Sequence, residues 1–188
     1  PGTGKDKLIE ACQRFYGEPQ TATALGSKIS TAKSQIRKLA QFKNIIVQLS
    51  EYQPGDQRTN ETIKGLWDNL GYSIGTLDSR YGTDSIPISA SIFITGNAYI
   101  DDEAAITRVI PYEMLESEFS AEQRRWFNEL EDMMRDGISH LTAELLQHRP
   151  HFEGKFKETH RRVFKELKAN VTFEVPQDRM LQNIAVLL

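Results

Sequence analysis

The chain has 188 residues, 39% of them hydrophobic and 26% charged, with a formal net charge of −3. This size allows one globular domain with a small helical annex, and the charge excludes a global basic footprint, so any nucleic-acid contact has to come from a local cluster of Lys and Arg. A single cysteine, Cys12, excludes an intrachain disulfide framework and a Cys-rich zinc site, and apolar runs such as 45–47 and 184–188 are far too short to cross a bilayer.

Pro1-Gly2-Thr3-Gly4-Lys5 opens the chain in place of a charged and then apolar leader, which makes the cytoplasm the expected location and sets no membrane among the partners. A start inside a Gly-rich loop and an uncapped apolar end, Met180 to Leu188, read as two cut ends, so a fragment of a longer protein is expected. Lys7 to Phe15 has helical apolar spacing, ended by Gly17 and Pro19, with Cys12 as a small core residue. Ser30 to Lys43 repeats the pattern through Ile36, Leu39, Ala40 and Phe42. Ile45 to Leu49 is a short β-branched run and predicts a buried strand.

Pro54-Gly55-Asp56 signals a turn, Glu61 to Leu70 a helix, and the Gly-, Ser- and Thr-rich stretch from Tyr72 to Ile88 a hairpin or extended loop with Arg80 at its middle. Ile88 to Ile94 predicts a second strand leading into Thr95-Gly96-Asn97, and Val109 to Tyr112 a short third one. From Ser120 the pattern becomes helical: Ser120 with Gln123 is a capping box, and one apolar face runs from Trp126 to Leu145, with Pro150 ending it. Phe156 to Leu167 predicts a further amphipathic helix. The order is an α/β layer over 1–118 followed by a helical C-terminal region over 119–188.

Gly2-Thr3-Gly4-Lys5 ahead of a helix is most of a phosphate-binding loop. Glycines let backbone N–H groups curl around a phosphate, the helix presents its positive end, and Lys5 neutralises the outer phosphates. Asp6 stands where Ser or Thr is usual and can hold Mg²⁺ directly or through water. A Gly-rich turn before an ordinary helix is the simpler alternative. Glu51, at the end of the first predicted strand, suits a base that polarises an attacking water, or a ligand to Mg²⁺ through its waters; a solvated loop acid is the alternative. Asn97 ends the second strand and can orient water or a γ-phosphate, against an ordinary Asn turn. Arg108 can reach a neighbouring subunit's phosphate, against a surface salt bridge.

In this joint order the chain resembles superfamily III helicases of the AAA+ class, and most of all the primase-associated helicases of phages, plasmids and poxviruses. The resemblance runs from Pro1 to about Tyr112 and rests on Gly2 to Lys5, Leu49-Ser50-Glu51, Ile63 to Leu66, Arg80-Tyr81, Thr95-Gly96-Asn97 and Arg108. It implies a P-loop NTPase sheet, a homo-hexameric ring, Mg²⁺-dependent ATP hydrolysis and translocation along single-stranded DNA. By the same resemblance Gly2, Thr3, Gly4, Lys5 and Asp6 hold the nucleotide, and Glu51 is the acid of the second nucleotide motif. Asn97 is then the sensor, Arg108 the trans-acting finger, and Lys64 and Arg80 lie near or on a hairpin facing the channel. This sequence departs from the pattern at Asp6, in having a single acid at Glu51, and in lacking the strand before the loop. Another AAA+ machine, such as a helicase loader, and a catalytically inactive DNA-binding scaffold are the rival readings.

Among the remaining residues, His148 and His151 are close, but no carboxylate or Cys completes a ligand set with them. The basic run from Lys155 to Lys168 is interrupted by Glu158 and Glu166 and reads as a solvated face, with DNA phosphates as the alternative contact. Trp67 and Trp126 are expected as core anchors.

Overall fold

The computed structural model describes residues 4–25, 32–68, 71–75, 83–114, 120–170 and 178–188. Two long strands carry the fold. β2 (Lys43–Tyr52) and β5 (Ser89–Gly96) pair in parallel, and β1 (Thr23–Ala24) adds a short parallel edge to β2, giving the order β1-β2-β5. The core forms on this sheet because the β-branched run of β2 buries Val47 and Leu49 completely, with Leu25, Leu39, Ile63 and Ile88 against them. Burying each such side chain contributes roughly 1.5–3 kcal/mol. A separate antiparallel hairpin joins β3 (Tyr72–Gly75) to β4 (Thr83–Ile86), as the turn-rich composition predicts.

β2 is not regular. Lys43 to Ile46 spans three steps opposite two on β5, from Ser89 to Ser91, and Leu49 to Tyr52 does the same opposite Ile94 to Gly96. Each mismatch is a one-residue bulge. Among the described residues, the two non-glycine residues with positive φ, Asn44 (56°) and Glu51 (65°), lie within these two bulges.

Helix α1 (Lys5–Arg14) packs on the sheet with a partly polar inner face: buried Gln13 donates to the Ile46 carbonyl, and Asp6 accepts from Gln48. α2 (Ala32–Leu39) and α3 (Gln57–Trp67) flank the same core. Asp56 caps α3 by accepting from the Arg58 and Thr59 amides and the Thr59 hydroxyl. The short α4 (Glu103–Ile106) is capped by Asp102.

The helical region differs from expectation in two ways. The predicted single helix from Ser120 breaks at Gly137 (φ 94°) into α5 (Ala121–Asp136) and α6 (Ser139–Gln147), because the left-handed backbone there ends the run although the apolar spacing continues. Pro150 starts rather than ends a helix. It lies in the first turn of α7 (Arg149–Asn170), where a missing N–H costs nothing. The capping box at Ser120 and Gln123 is present in full.

α5 and the start of α6 return to the sheet layer through Met134 and Ile138, which pack on Ala11 of α1, and Glu131 of α5 pairs with Lys7. α8 (Asp178–Leu187), which sequence pattern did not predict as a helix, packs on α7 and docks on α4 through Asn183 and Arg179, both bonded to Thr107. The expected boundary at 118/119 falls outside the described residues.

No strand forms at Val109 to Tyr112: this stretch is irregular, with Ile110 and Tyr112 exposed. Pro111 lacks the amide a ladder needs. The two tryptophans are not core anchors, since Trp67 is 40% and Trp126 59% exposed, and Cys12 is half-buried. Among the described residues no helix is long and apolar enough to cross a membrane.

Candidate functional site

Parallel strands bring their C-terminal ends to one edge of the sheet, where ligands of open α/β sheets bind. Here β2 and β5 end side by side, with Tyr52 paired to Gly96. Gly96 is required by this closeness: a Cβ would lie 2.9 Å from the Tyr52 carbonyl oxygen and 3.0 Å from its Cβ.

Gly4 precedes α1 in the left-handed region (φ 79°), and the Leu8 amide bonds to its carbonyl, so the helix starts at Lys5. Among the described residues no side chain caps this N-terminus, so the first-turn amides take no side-chain partner there. Lys5 reaches across to the strand tips. Its Nζ donates to the Gly96 carbonyl at 2.8 Å and to Asn97 Oδ1 at 2.7 Å. The glycine turn and the Asn-tipped strand, 92 residues apart in sequence, therefore meet.

Asp6 does not face open solvent alone. Its Oδ1 accepts from buried Gln48 at 2.6 Å, and Gln48 also approaches Thr95 Oγ1 at 3.3 Å, so one carboxylate oxygen ties α1 to both strands. Glu51 is exposed at the β2 tip, next in sequence to Tyr52, and no hydrogen bond of its side chain is formed among the described residues. It is at the same edge of the sheet as Lys5 and Asn97.

Arg108 follows α4 and lies elsewhere. Its guanidinium is mostly buried, donates to the Ala104 carbonyl at 2.7 Å and lies 4.0 Å from Asp68 at the end of α3. Lys64 pairs with Glu61 at 2.7 Å and Asp102 at 3.3 Å. These contacts, the Glu61 bond first, hold its pKa above the ordinary lysine value. Gly2, Thr3 and Arg80 lie outside the described residues. A cleft of about 370 Å³ lined by Ile36, Arg58, Glu61, Thr62, Gly65, Leu66 and Gly71 opens beside α3, and none of the strand-tip residues lines it.

Sequence reasoning missed a polar network beside the strand tips, in which Tyr52 and Asn60 are buried and Asp101 is exposed. The Tyr52 hydroxyl lies 2.8 Å from Asp101 Oδ1 and 2.9 Å from Asn60 Oδ1, with one proton to share between them. Asn60 Nδ2 donates to Asp101 Oδ1, and the Gly55 amide donates to Asp101 Oδ2 at 2.6 Å. The Tyr52 bond, with those from Asn60 and Gly55, holds the Asp101 carboxyl below the usual carboxylate range. Burial and then the nearby carboxylate push the Tyr52 phenol up. The available signal was an Asp pair, Asp101-Asp102, just after the Asn-tipped strand, of which only the second acts as a helix cap.

The arrangement suits an anion: an ammonium, a neutral amide and a helix N-terminus without a side-chain cap among the described residues lie together. Among the described residues no group of three or more His, Cys, Asp or Glu lies close enough to hold a metal. Mg²⁺ commonly takes one or two carboxylates and completes its shell with phosphate oxygens and water, a demand that Asp6 and Glu51 can meet in kind. Comparison with protein-family models, curated proteins and solved structures gave no match.

Proposed function

We propose that this chain is the nucleotide-hydrolysing part of an ATP-driven DNA helicase or translocase of a mobile-element replication protein. The observation that carries the reading is the Lys5 ammonium bonded to both Gly96 and Asn97 at the tips of a parallel sheet. A lysine at that point exchanges a carbonyl and an amide for the β- and γ-phosphates of ATP, and the freed Asn97 turns to the γ-phosphate or its attacking water. Glu51 is the general base for that water.

ATP would be held by Gly4, Lys5 and the α1 N-terminus together with Gly2 and Thr3. Mg²⁺ would be held by Asp6 and Glu51 through its waters, and would neutralise charge developing on the phosphates. Hexamer formation, with Arg108 supplied to the neighbouring site, and single-stranded DNA along Lys64 and Arg80 belong to the same proposal. In that assembly Arg108 leaves Asp68, and Lys64 leaves Glu61 and Asp102.

The test is titration of a fluorescent ATP analogue and steady-state ATPase assay on the full-length protein, with and without single-stranded DNA. The reading expects binding that Lys5→Ala abolishes and turnover that DNA stimulates. Equal binding by the wild type and Lys5→Ala overturns it. Turnover stimulated by a protein partner but not by DNA favours a loader.

A further inference from the structure

We propose that Tyr52 and Asp101 are positioning residues that hold Glu51 and Asn97 at a fixed separation across the two strand tips. This rests on the nucleotide-hydrolysis reading above and assigns residues which that reading does not use.

Glu51 sits in a one-residue bulge with φ 65°, a conformation that an L-residue adopts at a cost and keeps only where its surroundings enforce it. The next residue, Tyr52, supplies that enforcement. Its side chain is buried, and its hydroxyl is placed against Asn60 and the exposed Asp101 carboxylate, the two acceptors within reach among the described residues. Asp101 belongs to the other strand's exit, four positions after Asn97. Its two oxygens accept from Tyr52, Asn60 and the Gly55 amide, and its own amide lies 3.4 Å from the Tyr52 oxygen. One carboxylate thus fixes the segment that leaves β5 to both the β2 tip and the start of α3. The neighbouring Asp102 extends the attachment by capping α4 and pairing with Lys64.

The consequence is geometric. Glu51 and Asn97 are each one short tether from the same bond, so loosening it lets both drift. Misplacement of about 1 Å costs on the order of 10²-fold in rate when reacting groups must be aligned. The Tyr52 backbone pairs with Gly96, but the bond removed joins its hydroxyl to Asp101 and is not a Lys5 contact, so nucleotide binding is spared.

The experiment is steady-state ATPase kinetics on the full-length protein with Tyr52→Phe, Asp101→Asn and the double variant, together with Lys5→Ala. Each single variant is expected to lower kcat by about 10- to 100-fold with KM for ATP within about twofold of wild type. The double variant should lose no more than the worse single one, as residues acting through one bond are non-additive. If Asp101→Asn does not fold, Tyr52→Phe, which removes a single hydroxyl, carries the test with amide exchange at 51–55 and 97–102 as a second readout, both segments rising together. Wild-type kcat in Tyr52→Phe, or additive losses in the double variant, overturns the proposal. If wild type and Lys5→Ala are alike in binding and turnover, the nucleotide reading itself has failed and the proposal falls with it, which the Lys5 control makes plain.

Discussion

Lys5 Nζ and Asn97 Oδ1 lie 2.7 Å apart, joining the first helix to the tip of the last strand. The amide oxygen competes with any phosphate for the ammonium. Replacing the amide by a carboxylate turns an ammonium–amide bond into an ion pair, which holds the ammonium more strongly and sets a like charge beside any phosphate. Asn97→Asp is therefore expected to weaken ATP-analogue binding about tenfold, a modest figure because the pair is exposed and screened. Asn97→Ala should leave binding near wild type and lower turnover by about 10²-fold, the typical loss of one oriented donor. Titration of both variants beside kcat checks the split, and parallel losses in both measurements would refute it.

Glu51 combines a positive φ with an exposed carboxylate at the β2 tip. A side chain held in the left-handed region costs roughly 1–2 kcal/mol, and glycine removes that cost while adding about 0.5–1 kcal/mol of unfolded-state entropy. Glu51→Gly is expected to be neutral to about 1.5 kcal/mol more stable in chemical denaturation, and, if Glu51 is the general base proposed, to lose about 10²–10⁴-fold in ATPase rate. Glu51→Gln should show the same rate loss without the stability gain. A destabilised Glu51→Gly would mean that the bulge does not strain this residue.

That strain could not be read from the sequence, because the left-handed position is occupied by a glutamate rather than a glycine. The strand itself was legible: Ile45-Ile46-Val47 suits only a buried, pleated position, and Val47 and Leu49 are buried there. Glu51, Asn97 and Lys5 were found as sequence candidates, and the parallel register of β2 and β5 brings their segments to one edge. What pattern could not supply was long-range polar pairing. Gln48 looks like an interruption of an apolar run until it is seen to bond Asp6, and Tyr52 looks like the end of a strand until Asp101 faces it. β1 has two residues, too few for any period, and the break at Gly137 was hidden by apolar spacing that runs on from α5 into α6.

The Asp6–Gln48 bond separates two roles for Asp6. As a tie between helix and strand it needs only an acceptor, which Asn supplies; as a Mg²⁺ ligand it needs the charge. The bond is partly buried and charge-assisted, so Asp6→Ala is expected to cost about 1.5–3 kcal/mol. At this chain length that lowers Tm by roughly 3–12 °C. Asp6→Asn should recover most of the Tm. If Asp6 also holds Mg²⁺, Asp6→Asn will still need several-fold more Mg²⁺ for half-maximal turnover. An unchanged Mg²⁺ dependence confines Asp6 to the structural role.

The pH dependence of stability follows from the same polar network, with opposite signs at its two ends. Asp101 is held below the ordinary carboxylate pKa by its bonds from Tyr52, Asn60 and Gly55, and Asp56 by its bonds from Thr59 and Arg58. A depressed acid stabilises the fold above its unfolded pKa, near 3.9, and that contribution is lost as pH falls through the lower folded value. The Tyr52 phenol is raised, chiefly by burial, so its contribution is complete below its unfolded pKa near 10 and is lost as pH rises through the folded value. Denaturation midpoints should therefore fall at both extremes. Asp101→Asn should flatten the acid limb and reduce the alkaline one only in part, because burial is the largest cause of the phenol's shift and the Asp101 carboxylate the next. Tyr52→Phe should remove the phenol's part of the alkaline limb and weaken the acid one, since its hydroxyl is the first cause of the Asp101 shift. A Tyr52→Phe variant with both limbs unchanged would show that the hydroxyl and the carboxylate are not joined in solution.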